Sequence, residues 1–272
     1  MGRLATFETG SGPAVLLVHG LSGFKEAWGS LPAALAASGL RVVAVDLPGF
    51  GASPGLARTT PEGLVRAIEP LMADLAPVRI VAHSLGTQVA MLAATERTER
   101  VAGLALLAPW VLARPRRLPP RTIADVLQLP VVGRPLARLL IARVRRSPQR
   151  RRDAFLSTVG DPSALAADPA MAALLEEASA RLLTGDVRAI ADWAAGGLAL
   201  DIRPHARRVR GPALVAVGTL DRVTPPSGAR WLARALPDAR LLTLPGVGHF
   251  PHLEAPGEVA GAIAEHLVAP PA

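Results

Sequence analysis

The sequence contains no cysteine, no tyrosine and no asparagine, and Lys25 is its single lysine. Without cysteine the chain has no disulfides, no thiolate ligands for a metal and no thiol nucleophile. It has no unbroken apolar run long enough for a transmembrane helix. Its first residues also lack the apolar region of a secretory signal. These absences lead us to expect a cytoplasmic protein without a membrane-spanning segment.

Acidic side chains are scarce in one part of the chain. The formal net charge is +8, and residues 111–152 hold twelve arginines but only one acid, Asp125. Such a segment is typical of a solvated basic face, and it can also attract an acidic substrate or an anionic lipid surface. Nucleic acid is not an expected partner, because no aromatic residue lies among these arginines to stack on a base. The arginines are Arg114, Arg116, Arg117, Arg121, Arg134, Arg138, Arg143, Arg145, Arg146, Arg150, Arg151 and Arg152.

Short apolar runs with turn residues on both sides are typical of the buried strands of a parallel sheet. Helical patterns alternate with these runs, at residues 28–37, 226–236 and 256–268. Another helix is predicted to start at Pro61, its first helical residue, with Thr60 as the N-cap. The alternation predicts an α/β fold whose doubly wound, mostly parallel sheet has helices on both faces. Residues 3–9 are expected to add an antiparallel edge strand. The predicted parallel strands are residues 15–18, 42–45, 80–82, 104–107, 214–217 and 241–244.

The strand pattern stops between residues 111 and 197, where the sequence is helical, rich in proline and rich in arginine. We therefore predict one core from residues 1–110 and 198–272, with a helical cap inserted at 111–197. Within the cap, residues 134–146 form an amphipathic helix with Leu136, Leu139, Leu140 and Val144 on one face. A helix of this kind is expected to cover an apolar surface.

The five residues Ala82-His83-Ser84-Leu85-Gly86 carry the strongest functional signal. They lie between the apolar run 78–81 and the helix-like stretch 87–94. A serine at a sharp strand-to-helix turn, with small residues around it, is typical of a nucleophile elbow. Such a turn lifts the hydroxyl out of the sheet, and the N-terminus of the following helix points at it. Ser84 is therefore predicted to be a nucleophile.

A serine nucleophile needs a base and a carboxylate that orients the base. His249 lies in a glycine-rich loop just after the last predicted strand, and Asp221 follows the strand before it. In a parallel sheet both positions fall at the carboxyl edge, where open α/β sheets bind their ligands. The order Ser84, Asp221, His249 is the one expected for an α/β-hydrolase. We predict that these three residues form a catalytic triad.

The chain resembles the α/β-hydrolase superfamily over essentially its whole length. His19-Gly20 matches the oxyanion-loop motif of that family, and the turn at residues 46–53 matches a second one. The resemblance implies an eight-stranded type of sheet with a helical cap, and an oxyanion hole made by the backbone N–H groups of Leu21 and Leu85. Leu85 also fits on physical grounds, because it follows the nucleophile at a helix N-terminus. Position 82 departs from the family pattern, which has glycine there.

A serine at the elbow favours acyl transfer, since family members that cleave carbon–halogen bonds or epoxides use aspartate at this position. We predict hydrolysis of a small apolar or amphiphilic carboxylic ester through an acyl-enzyme, with Trp110 and Phe250 as walls of the substrate pocket. Three alternatives stay open: a lipase-like enzyme at anionic interfaces, a carbon–carbon hydrolase of diketones, and a receptor or scaffold that retains the triad. No cofactor is predicted.

The remaining histidines have other expected roles. His19 and His83 are predicted to brace the loops beside the site, and His252 shares the His249 loop without a predicted partner. His205 and His266 are expected at the surface. No pair of histidines has the spacing, together with acidic residues, that a zinc site requires, so no metal is predicted.

Overall fold

The structure is a computed structural model that describes residues 3–21, 23–111, 133–163, 167, 169–181 and 185–268. Its sheet has seven strands in the order β1-β3-β2-β4-β5-β6-β7, and only β1, which pairs with β3, is antiparallel. The strands are β1 (Thr6–Thr9), β2 (Ala14–Val18), β3 (Arg41–Val45), β4 (Val78–His83), β5 (Val101–Leu107), β6 (Ala213–Gly218) and β7 (Ala239–Leu244). All six predicted parallel strands and the predicted antiparallel edge strand are confirmed.

The sheet differs from the eight-stranded type in having one strand fewer among the described residues. The chain passes from β1 to β2 through residues 10–13, and Gly10 and Gly12 both adopt positive φ in this connection. β1 then pairs directly with β3 at the edge of the sheet. Because this connection is short, β1 is the only antiparallel strand among the described residues, and the parallel strands begin with β2.

Helices cover both faces of the sheet, as predicted. They are α1 (Leu31–Ala37), α2 (Pro61–Leu75), α3 (Gly86–Glu96), α4 (Gly133–Arg145), α5 (Pro148–Leu156), α6 (Pro169–Arg181), α7 (Val187–Ala199), α8 (Arg203–Ala206), α9 (Pro226–Ala235), α10 (Pro251–Glu254) and α11 (Pro256–Ile263). A π-helical turn, Ala264–Val268, continues α11. No helix in these described ranges is long and apolar enough to cross a membrane.

Two helix starts show how local sequence sets the boundaries. The hydroxyl of Thr60 accepts the backbone N–H of Gly63 at 3.1 Å, and Pro61 is the first residue of α2, as the capping pattern predicted. The predicted start of α1 at residue 28 is wrong, because Gly29 adopts a φ of 59° that a right-handed helix does not allow. α1 begins at Leu31 instead.

The core lies in two layers on either side of the sheet. Leu16 and Val18 of β2 belong to the same core layer as α2, α3 and α9, whereas Val15 and Leu17 belong to the layer that contains α1 and α11. Successive side chains of a strand point to opposite faces, so a strand buried on both faces is apolar throughout. Each fully buried leucine of this kind contributes about 1.5–3 kcal/mol to folding.

The described residues between 133 and 199 form helices joined by turns and include no strand, in line with the predicted insertion. The first part of the predicted cap, residues 112–132 with Arg114, Arg116, Arg117 and Arg121, lies outside the described residues. α4 packs on α7, and α5 packs on α6. The division of the chain into a core and a cap stays a prediction.

The apolar face predicted for α4 holds in part, since Leu136, Leu140 and Val144 are half-buried but Leu139 is exposed. Ala137 and Ile141 are the buried apolar residues of this helix, while Leu139 is 66% exposed. α4 makes its main contact with the single helix α7, so only a narrow stripe at i and i+4 is covered. Leu139 lies two residues from both members of that stripe and therefore faces away from it.

Candidate active site

The carboxyl edge of the sheet brings the predicted site residues together. Ser84 directly follows β4, Asp221 follows β6 and His249 follows β7, and Leu21 lies beyond the end of β2. These strands are parallel, so their carboxyl ends meet at one edge. The site is thus assembled from four loops that are distant in sequence.

The elbow has the backbone geometry that its sequence predicts. Ser84 adopts a φ of 52°, which non-glycine residues rarely do and which costs about 1–3 kcal/mol. The elbow packs so closely against the loop after β2 that there is no room for a side chain at Gly86 or at Gly20. A Cβ atom at Gly86 would lie 2.4 Å from the carbonyl oxygen of His19, and one at Gly20 would lie 2.9 Å from Cβ of Ser84. Ala82, the departure from the family pattern, is fully buried in β4.

A chain of hydrogen bonds connects the three predicted triad residues. Oγ of Ser84 lies 3.0 Å from Nε2 of His249, and Nδ1 of His249 lies 2.9 Å from Oδ2 of Asp221. All three side chains are buried. Because an ionised carboxylate only accepts hydrogen bonds, Nδ1 of His249 carries the proton and Nε2 offers its lone pair to the Ser84 hydroxyl. This arrangement is the one in which a histidine can take the proton of a serine.

Asp221 is held ionised by His249 and by the turn in which Asp221 lies. Burial acts to raise the pKa of Asp221, but hydrogen bonds and charge from His249, with further hydrogen bonds from Thr224, outweigh burial and lower it. Oδ1 accepts the backbone N–H groups of Val223 and Thr224, both at 2.8 Å, and the Thr224 hydroxyl lies 2.6 Å from Oδ2. Thr224 was not predicted from the sequence. The pattern Asp-x-x-Thr at a strand end, typical of such turns, was the available signal.

His83 braces the loop that carries His249. Nε2 of His83 lies 2.7 Å from the backbone carbonyl oxygen of His249, which can only accept, so His83 donates. Burial, and then the nearby charges of His252 and His249, hold the pKa of His83 well below its usual range. On the other side, the backbone N–H of His249 donates to the carbonyl oxygen of Thr158, at 2.8 Å.

His19 fixes the loop that follows β2. Its Nε2 accepts the backbone N–H of Leu47 at 3.0 Å, and Nδ1 lies 2.8 Å from the carbonyl oxygen of Gly20. The ring is therefore a neutral imidazole with its proton on Nδ1. Burial lowers the pKa of His19 to about 4, which is consistent with this form. The ring also packs edge-on against Phe50 and Trp193.

The two predicted oxyanion donors, Leu21 and Leu85, belong to the two loops that meet at Ser84. Leu85 is the N-terminal flanking residue of α3, and Leu21 follows the Gly20 that touches Ser84. Within the described part of the chain, neither backbone N–H donates a hydrogen bond to another group. Both amides are thus free to bind a ligand oxygen.

An apolar cavity lies beside these loops. Phe250 lines it, and so do Leu21 and His83, whereas Ser84 and His249 are not among its lining residues. Trp110, the other predicted pocket wall, is not among the lining residues. Its backbone N–H donates to the Thr87 hydroxyl at the base of α3, at 3.2 Å. The remaining walls of the cavity are mostly aromatic or aliphatic and include Phe24, Trp28, Phe155, Ala178 and Leu253.

The ring of His252 packs against the rings of His83 and Trp28. It lies 4.7 Å from that of His83 and 4.8 Å from that of Trp28, measured between centroids. Burial, followed by the charge of His249, lowers the pKa of His252 to about 3. His205 and His266, which were predicted at the surface, are half-buried, and His205 contacts the Thr95 hydroxyl. The described residues contain no group of three side chains suited to hold a metal.

Acid should destabilise the protein through these buried neutral histidines. Their pKa values in the folded state, about 3 for His252 and about 4 for His19, lie below the value near 6.5 expected in the unfolded chain. The unfolded chain therefore binds more protons, and stability that is present above pH 6.5 is lost as the pH falls toward the folded values. Each such histidine contributes up to about 1.4 kcal/mol per pH unit in this window.

Urea unfolding at a series of pH values between about 7 and 4.5 measures this slope. We expect His252→Gln to reduce the slope of the unfolding free energy against pH by the contribution of about one proton, because glutamine does not titrate. Ser227→Ala is the control, since it changes an exposed residue of α9 that does not titrate, and it should keep the slope of the unmodified protein. An equally steep slope in His252→Gln would contradict the assignment of a buried neutral His252.

Comparison with known proteins gives a consistent result. The model of the alpha/beta hydrolase family matches residues 15–262. The pimeloyl-[acyl-carrier protein] methyl ester esterase of Chromobacterium violaceum is 31% identical, with 95% of each chain covered. The structure of a thermophilic esterase from Thermogutta terrifontis is 27% identical, with a TM-score of 0.76 over 96% of this chain and 92% of that one.

A bromoperoxidase from Bacillus anthracis shares the fold, with a TM-score of 0.76 at 18% identity over 96% of this chain and 93% of that chain. An identity this low carries no statement about activity. The family match and the esterase relatives cover almost the whole chain. The chain belongs to the alpha/beta hydrolase family.

Proposed function

We propose that the protein hydrolyses carboxylic esters through an acyl-enzyme on Ser84. The observation that carries this proposal is the continuous hydrogen-bonded chain from Ser84 through His249 to Asp221, at 3.0 Å and 2.9 Å. The esterase relatives support the same reaction class. Serine at the elbow attacks a carbonyl carbon and becomes acylated, and water can cleave the resulting acyl-serine ester.

In the first half of the reaction, Oγ of Ser84 attacks the ester carbonyl carbon while Nε2 of His249 takes the hydroxyl proton. The carbonyl oxygen becomes an oxyanion that the N–H groups of Leu21 and Leu85 stabilise. When the tetrahedral intermediate collapses, His249 gives the proton to the departing alkoxide, and the alcohol leaves. Asp221 stabilises the imidazolium ion that exists between these steps.

In the second half, water takes the place of the alcohol. His249 accepts a proton from this water as its oxygen attacks the acyl carbon, and the same two amides again hold the oxyanion. Collapse returns the proton from His249 to Oγ of Ser84 and releases the acid. Each oxyanion donor contributes about two to three orders of magnitude to such rates. The N-terminus of α3 adds a favourable potential for the negative charge.

The cavity beside the site supports an apolar acyl group. Its walls include Phe24, Trp28, Phe155 and Phe250, and these rings offer little to a charged substrate. Phe155 belongs to α5 and stacks on Phe250 with 4.8 Å between centroids, so a helix of the predicted cap forms part of the wall. We infer that residues 111–197 shape the pocket for the acyl chain.

A second candidate is hydrolysis of an ester attached to an acidic carrier. Arg138, Arg143, Arg146 and Arg150 are exposed on α4, α5 and the turn between them, and none has an acidic partner among the described residues. In α5, Arg150 precedes Phe155 by about 7.5 Å along the helix axis, so the helix that supplies part of the cavity wall also carries positive charge. The Chromobacterium violaceum relative is named for an ester on acyl-carrier protein.

A panel of substrates tests the proposed function and separates the alternatives. We expect p-nitrophenyl esters of neutral fatty acids to be turned over, with a preference for chains that fill the apolar cavity. Faster turnover of a carrier-bound ester, abolished by added salt, would support the second candidate. A preference for esters in anionic vesicles would instead indicate a lipase-like enzyme. Turnover of a diketone without ester turnover would overturn the proposal in favour of a carbon–carbon hydrolase.

A further inference from the structure

One carboxylate close to the site accepts three backbone N–H groups. Oε2 of Glu254 lies 2.7 Å from the amide nitrogen of Gly248 and 2.8 Å from that of Gly160, and Oε1 lies 3.0 Å from that of Phe250. Glu254 is half-buried at the end of the short helix α10. Hydrogen bonds from backbone amides to an ionised carboxylate are stronger than those between neutral groups.

Two of these three amides belong to the immediate neighbours of His249. Gly248 precedes it and Phe250 follows it. The backbone of His249 itself is fixed by other elements, since its N–H donates to Thr158 and its carbonyl oxygen accepts from His83. Glu254 therefore completes a set of contacts that leaves the backbone around His249 little freedom to move.

The third amide, that of Gly160, connects this loop to the helical segment. The loop that follows α5 approaches the His249 loop so closely that a Cβ atom at Gly160 would lie 2.1 Å from the carbonyl oxygen of Gly246. A Cβ atom at Gly248 would lie 2.4 Å from the amide nitrogen of Gly160. Glycine is required on both sides of this contact, and Glu254 bridges the two loops.

We propose that Glu254 is a positioning residue, which holds the imidazole of His249 in line with Ser84 and couples it to the segment 158–160. This inference rests on the proposed function, in which His249 is the base. Glu254 acts through the backbone and is not among the groups that touch the reacting atoms. A displacement of a catalytic group by about 1 Å can lower a rate about a hundredfold.

Glu254→Gln is the sharpest variant. Glutamine keeps the size of the side chain, but its NH₂ group would face one or more of the three N–H donors, and no rotamer offers two acceptor oxygens. We expect kcat for p-nitrophenyl esters to fall by about 10- to 100-fold while KM stays nearly unchanged. The downfield proton resonance of the His249 Nδ1–H group should broaden or disappear in the same variant.

Glu258→Gln is the matched control, because Glu258 is exposed four residues further along the chain and its side chain makes no hydrogen bond to the described residues. It should retain the kcat of the unmodified protein. Gly160→Ala disturbs the same contact between the two loops from the side of the loop after α5. It should therefore lower kcat in the same range, and it provides a second test if Glu254→Gln folds poorly. Unchanged kcat and an unchanged proton resonance in folded Glu254→Gln would overturn the inference.

The Ser84→Ala protein separates this inference from the proposed function. If Ser84→Ala is inactive and Glu254→Gln is fully active, the positioning role is wrong and the ester hydrolase stands. If Ser84→Ala keeps the activity of the unmodified protein, the proposed function itself fails, and the positioning role fails with it.

Discussion

Replacing Ser84 with alanine is expected to lower kcat/KM for a p-nitrophenyl ester by about 10⁴- to 10⁶-fold. The substitution removes the oxygen that forms the acyl-enzyme and leaves His249 without a proton to accept. Whatever rate remains comes from the oxyanion donors and the pocket, which can still assist attack by water. The measurement is steady-state hydrolysis with enough enzyme to detect a rate several orders of magnitude below that of the unmodified protein.

Ser227→Ala is the control, since Ser227 is an exposed residue of α9 whose side chain makes no hydrogen bond within the described part of the chain. It should have the activity of the unmodified protein. A fluorophosphonate gives a second readout, because it should label the unmodified protein once, at Ser84, and leave Ser84→Ala unlabelled. Labelling without turnover of any ester, diketone or carrier-bound substrate would favour the receptor or scaffold alternative. Retained turnover in Ser84→Ala would exclude Ser84 as the nucleophile.

The fold was largely predictable because its parallel strands are buried on both faces. Every residue of β2 is buried, so the strand is apolar throughout and stands out between turn residues. Features that depend on a tertiary partner were not predictable. The buried stripe of α4 is set by contact with α7, and a helix has several apolar stripes from which a partner can select one. Nothing in residues 134–146 alone identifies Ala137 and Ile141 as that stripe.

The candidate site was predictable to the extent that side chains with distinctive chemistry define it. Ser84, Asp221 and His249 were found because each follows a predicted strand, and parallel strands bring their carboxyl ends to one edge. The contacts that hold them were not found, since many use backbone atoms. The N–H of His249 bonds to the carbonyl oxygen of Thr158, and any residue at position 158 offers that atom. Glu254 likewise binds amides rather than side chains.

Replacing Asp221 with asparagine should lower kcat by about 10⁴-fold while the fold is kept. The amide oxygen of the new side chain would accept the N–H groups of Val223 and Thr224, as Oδ1 of the aspartate does at 2.8 Å. Its NH₂ group then takes the place of Oδ2 and faces Nδ1 of His249. A donor at that position requires the lone pair of the imidazole on Nδ1 and its proton on Nε2. In this tautomer His249 cannot accept the proton of Ser84, and no negative charge remains to stabilise the imidazolium ion.

Asp238→Asn is the matched control, because Asp238 is exposed and its side chain makes no hydrogen bond to any described residue. Fluorophosphonate labelling of Ser84 should slow in parallel with ester hydrolysis in Asp221→Asn, since both reactions need the same proton transfer to His249. Thermal unfolding of Asp221→Asn checks that its lower kcat does not come from a loss of folded protein. A variant that stays folded and keeps kcat within about tenfold of the unmodified protein would exclude Asp221 as the residue that orients the base. A loss of hydrolysis with an unchanged labelling rate would place the role of Asp221 after acylation, in the attack of water on the acyl-enzyme.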